Sequence, residues 1–350
     1  MSEQVRKVKA VGLISGGLDS TLAARMLREQ GIDVIGLNFS TGFSKDDHRR
    51  AVLRKKDQDP RKLRNEALQA ATSAGVPVEI IDVSEEFLSV VTAPKHGYGR
   101  FVNPCIDCRI LMLRKAREYA DSIGADVVFT GEVVGQRPMS QHRSALRMIE
   151  KESGLDGRLL RPLSALRLPP TRAESRGDVD RSRLGGISGR SRREQMELAR
   201  SWGIDDFEQP SGGCCFLIDE NFARRFRDLQ AHLPVERITR DEIVMLKVGR
   251  HFRLSGSAKA VVGRDDAENT FIEGLAAGRW LFEATEGGSP LTLLMGSETE
   301  EELEWAARLT ARYSDLKESE SVSVLARRGD QRVLRTVAPA SEAEIAPMRL

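Results

Sequence analysis

Apolar and polar positions alternate in blocks along the first part of the chain. Lys7 to Ile14 is an apolar, strand-like run rich in Val and Ile, and a Gly-rich turn follows at Ser15 to Asp19. Ser20 to Gln30 sets Leu22, Ala23, Met26 and Leu27 at helical spacing, and Gly31 closes that helix. Asp33 to Asn38 reads as a second strand. Lys62 to Ala74 reads as a helix with Leu63, Ala67, Leu68 and Ala71 on one face. Val76 to Val83 is a third strand, Ile106 to Ala120 a helix and Val127 to Thr130 a fourth strand. Strands alternating with helices predict an α/β fold, a doubly wound parallel sheet of Rossmann-like type, over residues 1–170.

Beyond Pro169 and Pro170 the pattern loosens. Leu166 to Gly189 is rich in Arg, Gly and Pro and reads as a loop or linker. Ser191 with Glu194 is a capping-box signature for a helix through Ser201, and Phe222 to Leu233 looks helical. From about Ile238 short Val- and Leu-rich runs alternate with Gly, Asp and Asn turns: Ile243 to Val248, Phe252 to Leu254 and Lys259 to Val262. Ser297 and Glu300 open an amphipathic helix through Tyr313, followed by strands at Ser321 to Ala326 and Gln331 to Val337. This predicts a separate C-terminal α+β domain at 238–350, joined by an Arg-rich linker and helical segment at 171–237.

Composition narrows the class. The 350 residues are 40% hydrophobic and 30% charged, enough apolar content for two or three domains with real cores. The longest apolar runs are about five residues, against about 20 for a spanning helix, so no membrane partner is expected. Met1 to Ala10 is charged and polar, unlike a secretory signal, and the expected compartment is the cytoplasm. Four cysteines are too few for a disulfide scaffold and read as metal ligands or reactive thiols.

The net charge of +2 hides an asymmetry. Ten arginines and three acids between Arg158 and Arg193 sum to +7, and Lys45 to Arg64 sums to +5. Thirteen acids and seven bases between Glu283 and Glu344 sum to −6. A basic front and an acidic tail point to a polyanionic partner. Arginine pairs bidentately with phosphate, so Arg172, Arg176, Arg190, Arg192 and Arg193 are the candidate RNA-binding residues.

The turn Ser15-Gly16-Gly17-Leu18-Asp19-Ser20 lies between a strand and a helix. Its glycines let the backbone approach an anion, and the helix N-terminus behind it offers free amides and a positive dipole end. Asp19 can help hold a metal ion. The turn lacks a Walker lysine and closely resembles the PP-loop of ATP pyrophosphatases. That resemblance implies ATP cleaved between its α- and β-phosphates, with Mg2+ assisting, and a carbonyl oxygen activated by AMP. The candidate nucleotide-binding residues are Ser15, Gly16, Gly17, Leu18, Asp19, Ser20, Asn38, Gly131 and Gln136.

Cys105 and Cys108 form Cys-x-x-Cys after Pro104 at a helix start, where thiolate is favoured; Cys214 and Cys215 follow a Gly-Gly turn far downstream. A metal or iron–sulfur site, a persulfide relay and structural zinc all remain open on spacing alone. Asn103-Pro104-Cys105 with Cys108 in a PP-loop protein resembles the tRNA thiolation enzymes. In one branch the match Cys105, Cys108 and Cys214 implies a 4Fe–4S cluster; in the other, catalytic cysteines carry persulfide. The cluster is the favoured expectation, with Cys105, Cys214 and Asp19 as the catalytic residues.

Thr130-Gly131-Glu132 with Gly135-Gln136, Ser140-Gln141, Arg161-Pro162-Leu163 and the Cys214–Cys215 pair resemble the ThiI family of 4-thiouridine synthetases, without their THUMP and rhodanese domains. Val248 to Leu254 with Val261 to Arg264, Glu268 and Asn269 resemble the NFACT-R type of RNA-binding domain. These resemblances imply an ATP-dependent tRNA uridine sulfurtransferase, with the 4-thio product expected. The alternatives are a tRNA 2-thiouridylase, another PP-loop ligase with zinc-bound cysteines, and a non-catalytic RNA-binding protein. Expected partners are tRNA, a sulfide or persulfide donor and, as one option, a second copy of the chain.

Overall fold

The computed structural model describes residues 7–45, 72, 74–204 and 215–350. The expected helix at 62–74 and the basic stretch at 45–64 fall almost wholly outside these residues, as does Cys214. The chain forms two compact units, one of residues 1–44 with 60–214 and one of residues 45–59 with 215–350.

The first unit is built on five parallel strands: β1 (Lys9–Leu13), β2 (Asp33–Ser40), β3 (Val78–Asp82), β4 (Val127–Thr130) and β5 (Leu159–Leu160), in the order β3-β2-β1-β4-β5. The central strand β1 is buried on both faces, so neighbouring side chains enter different cores. Ala10 and Ile14 join Leu22 and Leu27 of the Leu18–Arg28 helix, whereas Val11 and Leu13 join Leu113 and Ala116 of the Cys105–Ser122 helix. Each fully buried leucine contributes about 1.5–3 kcal/mol. Gly12 is required between them, because a Cβ there would lie 2.0 Å from the Phe129 ring of β4. The doubly wound α/β sheet expected from the sequence is the observed fold, and strand order reverses between β1 and β4.

The Arg-rich stretch is not a loose linker. Pro162–Arg167 and Arg181–Arg183 are 3-10 turns, and Arg172–Arg176 is a short helix capped reciprocally by Thr171 and Glu174. Ala173, Val179, Leu184 and Ile187 are buried in the same core as Leu22, together with Ala199 of the Arg193–Ser201 helix. That helix lacks the expected capping box: Arg192 occupies the cap without a side-chain bond, and Ser191 Oγ instead accepts from Arg193 N at 3.3 Å.

The second unit holds six antiparallel strands: β6 (Arg250–Arg253), β7 (Ala258–Val262), β8 (Leu281–Ala284), β9 (Thr292–Gly296), β10 (Val322–Arg328) and β11 (Gln331–Val337), in the order β11-β10-β8-β9-β7-β6. The Glu300–Arg312 helix packs Ala306, Ala307 and Ala311 on one face, against Phe282 and Val324. The Asp266–Gly274 helix packs Ile272 on the other, against Val261 and Leu293. The helix Glu220–His232 belongs to this unit, donating from Arg225 to Leu246 O and Gly249 O.

The apolar run that starts at Ile243 begins on the Arg240–Met245 helix, whose Thr239 side chain accepts from Glu242 N. The amphipathic helix expected from Ser297 and Glu300 starts at Glu300 and is capped reciprocally by Thr299 and Glu302, and the Glu302 carboxylate also bonds Ser297 and Ser255. Among the described residues, no helix is long and apolar enough to cross a membrane.

Candidate functional site: the phosphate loop and the cysteine helix

In an open parallel sheet, the crevice forms outside the carboxyl ends of the strands where the order reverses. Here that place is the end of β1 beside the end of β4. Gly16 has a positive φ of 88°, and Gly17 is the extended N-cap of the Leu18–Arg28 helix, so the chain turns sharply into the helix. The first-turn amides of that helix have no intrahelical acceptors, which leaves them for an anion. Ser20 Oγ fixes the loop shape: it donates to Gly17 O at 2.9 Å and accepts from Ser15 N at 3.3 Å. Asn38 Nδ2 donates to Ile14 O at 2.8 Å and so anchors the strand end from which the loop departs.

The turn after β4 presses directly on this loop. A Cβ at Gly131 would lie 2.5 Å from the backbone of Asp19 and Ser20, so only glycine allows the approach. Gln136 Nε2 donates to Asp19 Oδ2 at 3.1 Å. Arg192, grouped by sequence with the RNA-facing arginines, lies with Nη2 3.6 Å from the same oxygen. Asp19 Oδ1 is buried and has no hydrogen-bond partner among the described residues. Burial raises the Asp19 pKa above the ordinary carboxylate value, against the opposing pull of Arg192 and Gln136. An orphaned, buried carboxylate oxygen beside a phosphate loop fits a divalent cation, so Asp19 would hold the Mg2+ expected from the sequence.

Sequence reasoning missed the polar frame beneath the turn. Glu132 is 2% exposed and pairs with Arg161 Nε at 3.2 Å and Arg109 Nε at 3.1 Å. Burial would raise its pKa, but Arg109 and Arg161 outweigh burial and lower it. Ser164 Oγ accepts from Val134 N and donates to Ile187 O, tying the turn to the segment before Gly189. The signal was present in Arg161-Pro162-Leu163, although its partner Glu132 could not be read from spacing.

Cys105 and Cys108 occupy the first turn of the Cys105–Ser122 helix. Two contacts bring that helix start to the β4 turn. Arg109, one turn on from Cys105, pairs with Glu132, and Asn103 Nδ2 lies 3.5 Å from Met139 Sδ. Gly135 N donates to Gln141 O, which folds the Met139 loop back onto the Gly135–Gln136 corner. Asn103 Nδ2 also donates to Cys105 Sγ at 3.1 Å. Cys105 is therefore joined to the Asp19 loop through a continuous set of contacts within one unit. Cys215 caps the 3-10 turn Phe216–Ile218 of the other unit. Among the described residues, no three His, Cys, Asp or Glu side chains converge as metal ligands. The expected set of Cys105, Cys108 and Cys214 is thus represented only by its first two members.

The remaining candidate arginines divide. Arg176 pairs with Asp178 at 2.7 Å and Arg193 lies 3.7 Å from Glu197, both exposed. Arg172 packs its side chain along Gly157. Arg190 is exposed and has no partner among the described residues. Arg161, Arg181 and Arg183 instead bond backbone carbonyls and acids and hold the fold.

Residues 8–153 match the tRNA methyl transferase HUP domain, and residues 249–348 match the NFACT protein RNA binding domain. The tRNA-specific 2-thiouridylase MnmA of Methylobacterium nodulans is 28% identical over 82% of this chain and 78% of its own length. The MnmA of a Listeria monocytogenes serotype 4b strain is 24% identical over 91% of this chain and 85% of its own. A solved structure, "predicted subunit of tRNA methyltransferase" from Methanocaldococcus jannaschii, is 16% identical and covers 55% of this chain and 76% of that one at a TM-score of 0.33. The two matched stretches are thus similar to a HUP domain and to an NFACT RNA-binding domain. These relatives are named 2-thiouridylases, which supports a likeness to PP-loop tRNA thiolation enzymes rather than to ThiI in particular.

Proposed function

We propose that this chain, a PP-loop HUP domain joined to an NFACT-R domain, is an ATP-dependent tRNA 2-thiouridylase. The observation that carries the reading is the junction of the Ser15–Ser20 loop, the Gly131–Gln136 turn and the Cys105 helix start in one crevice. Relatives named as 2-thiouridylases favour the 2-thio product over the 4-thio product.

Each part has a chemical task. Loop amides, Ser15 and Ser20 hold the β- and γ-phosphates, which leave as pyrophosphate. Mg2+ held at Asp19 neutralises triphosphate charge when bound. The uracil O2 attacks the α-phosphorus, which makes the oxygen a leaving group. The terminal sulfur of a persulfide on Cys105 then attacks C2, and AMP departs with the oxygen. The thiolate of Cys214, which lies outside the described residues, attacks Cys105 Sγ, closing a disulfide and releasing 2-thiouridine. A dithiol reductant reopens the disulfide, and a persulfide donor reloads Cys105. The 4Fe–4S alternative would hold its sulfide on a cluster ligated by Cys105, Cys108 and Cys214. No step is routed through it, because only two of those thiols are among the described residues.

The test uses the full chain with unmodified tRNA transcript, ATP and a persulfide donor, followed by nucleoside mass spectrometry. The expected product is 2-thiouridine, separated from the 4-thio isomer by retention time, with one pyrophosphate per thiolation. Formation of 4-thiouridine, or of no thionucleoside at all, overturns the reading.

A further inference from the structure

At the β6 edge of the second unit, four arginines from three separate stretches of chain line one cavity of about 440 Å3. Arg224 and Arg225 come from the Glu220–His232 helix, Arg250 from β6, and Arg349 from the segment that bridges onto Phe252. The only acid among the lining residues is Glu342, which pairs with Arg349 at 2.8 Å.

Arg349 is paired with Glu342, whereas Arg224, Arg225 and Arg250 have no carboxylate partner among the described residues. Arg225 donates through Nη1 and Nη2 to Leu246 O and Gly249 O at 2.9 and 3.1 Å, so carbonyl oxygens fix its plane. Its Nε is buried and has no partner among the described residues. Burial, and after it the neighbouring Arg264, push its pKa down to about 10 against the opposing pull of Asp219 and Glu268. Arg250 stacks on the Tyr313 ring at 4.7 Å and donates to Gly263 O. Arg349 Nη2 donates to the Tyr313 hydroxyl at 3.3 Å. Arg224 is exposed and has no partner among the described residues. Among the described lining side chains, four arginines face one carboxylate, that of Glu342.

Part of the acidic stretch lies at the other side of the sheet, where Glu300 pairs with Arg335 of β11 and Glu298 with Arg328 of β10. Glu342 of the same stretch stays at the cavity as the partner of Arg349. Pre-oriented guanidinium forks held by carbonyls and a ring suit a phosphate, which accepts two parallel N–H bonds from each fork.

We propose that this cavity is a phosphate-binding subsite that seats backbone phosphates of the tRNA. The proposal rests on the tRNA reading above and adds the place where the second unit grips its substrate. Binding of unmodified tRNA transcript to the full chain is measured by fluorescence anisotropy across a salt series, for wild type, Arg224→Glu and Arg332→Glu. Arg332 lies on β11 at the far edge of the sheet and gives the same change in net charge. Arg224→Glu is expected to weaken binding about tenfold and to lower the salt slope by about one, with Arg332→Glu near wild type. Equal losses in both variants, or wild-type binding by Arg224→Glu, overturn the subsite while leaving the tRNA reading intact. Failure of the wild-type chain to bind tRNA overturns both.

Discussion

Asn103 donates its side-chain amide to Cys105 Sγ at 3.1 Å, from a position that is itself buried. Its Oδ1 accepts from Phe101 N at 3.3 Å and its carbonyl from Gly99 N at 2.9 Å, so the amide is aimed by its own loop. Cys105 also opens a helix, where the dipole favours negative charge. Both effects stabilise thiolate over thiol. Asn103→Ala should therefore move the pH midpoint of Cys105 alkylation upward and slow the reaction about tenfold below that midpoint. The measurement is iodoacetamide labelling against pH, in a chain whose other three cysteines are serine. An unmoved midpoint would show that Asn103 only shapes the loop.

Asp19 presents one oxygen to Gln136 and Arg192 and leaves the other without a hydrogen-bond partner among the described residues. If the second oxygen holds Mg2+ on the triphosphate, Asp19→Asn should cut tRNA-dependent pyrophosphate release by about 100-fold. Gln136→Ala removes only a hydrogen bond to the other oxygen and should cost less. Equal losses in the two variants would argue for a purely structural Asp19.

Arg161 is 3% exposed and joins Glu132, Glu150 and Leu146 O. Arg161→Met leaves the buried Glu132 with Arg109 as its one cation among the described residues and a hydrogen bond from Thr130, and should destabilise the chain by about 3–5 kcal/mol in urea titration. Adding Glu132→Gln should recover part of that loss, because the stranded charge is removed. A loss unchanged in the double variant would place the cost in packing instead.

What was legible in the sequence was local. The Ser15–Ser20 loop announces itself because its glycines, serines and aspartate all act within six residues. The first four strands were readable because each is short, Val- and Ile-rich and bounded by turn residues. The frame around the site was not readable, because its pairs join distant positions: Glu132 to Arg161, Gln136 to Asp19, and Asn103 to Met139. Arg192 shows the same limit. In sequence it belongs to an arginine run, but the burial of Ala199 and Ile187 turns that run inward and brings Arg192 to Asp19. The run from Ile243 was legible only as apolar: its β-branched residues favour strand, and the Thr239 cap with tertiary packing makes its start helical.

His96 closes the loop that precedes the cysteine helix. Its Nδ1 lies 2.8 Å from Asp107 Oδ1 and its Nε2 3.0 Å from Glu152 Oε1, and His96 N donates to Asp107 Oδ2. Burial alone would lower the imidazole pKa, but the hydrogen bonds to Asp107 and Glu152 outweigh it and raise the value above 6.5. A raised histidine pKa means that the folded state binds the proton more tightly than the unfolded chain does. The stabilisation is then fully present below about pH 6.5, the unfolded value, and is lost as pH climbs through the folded one. His96→Gln should accordingly lower Tm most at acidic pH, with the gap to wild type narrowing as pH rises. Thermal melts from about pH 5.5 to 9 give the profile, over the range in which the imidazole titrates. A gap that stays constant would mean that His96 contributes by packing and neutral hydrogen bonds rather than as an imidazolium between two carboxylates.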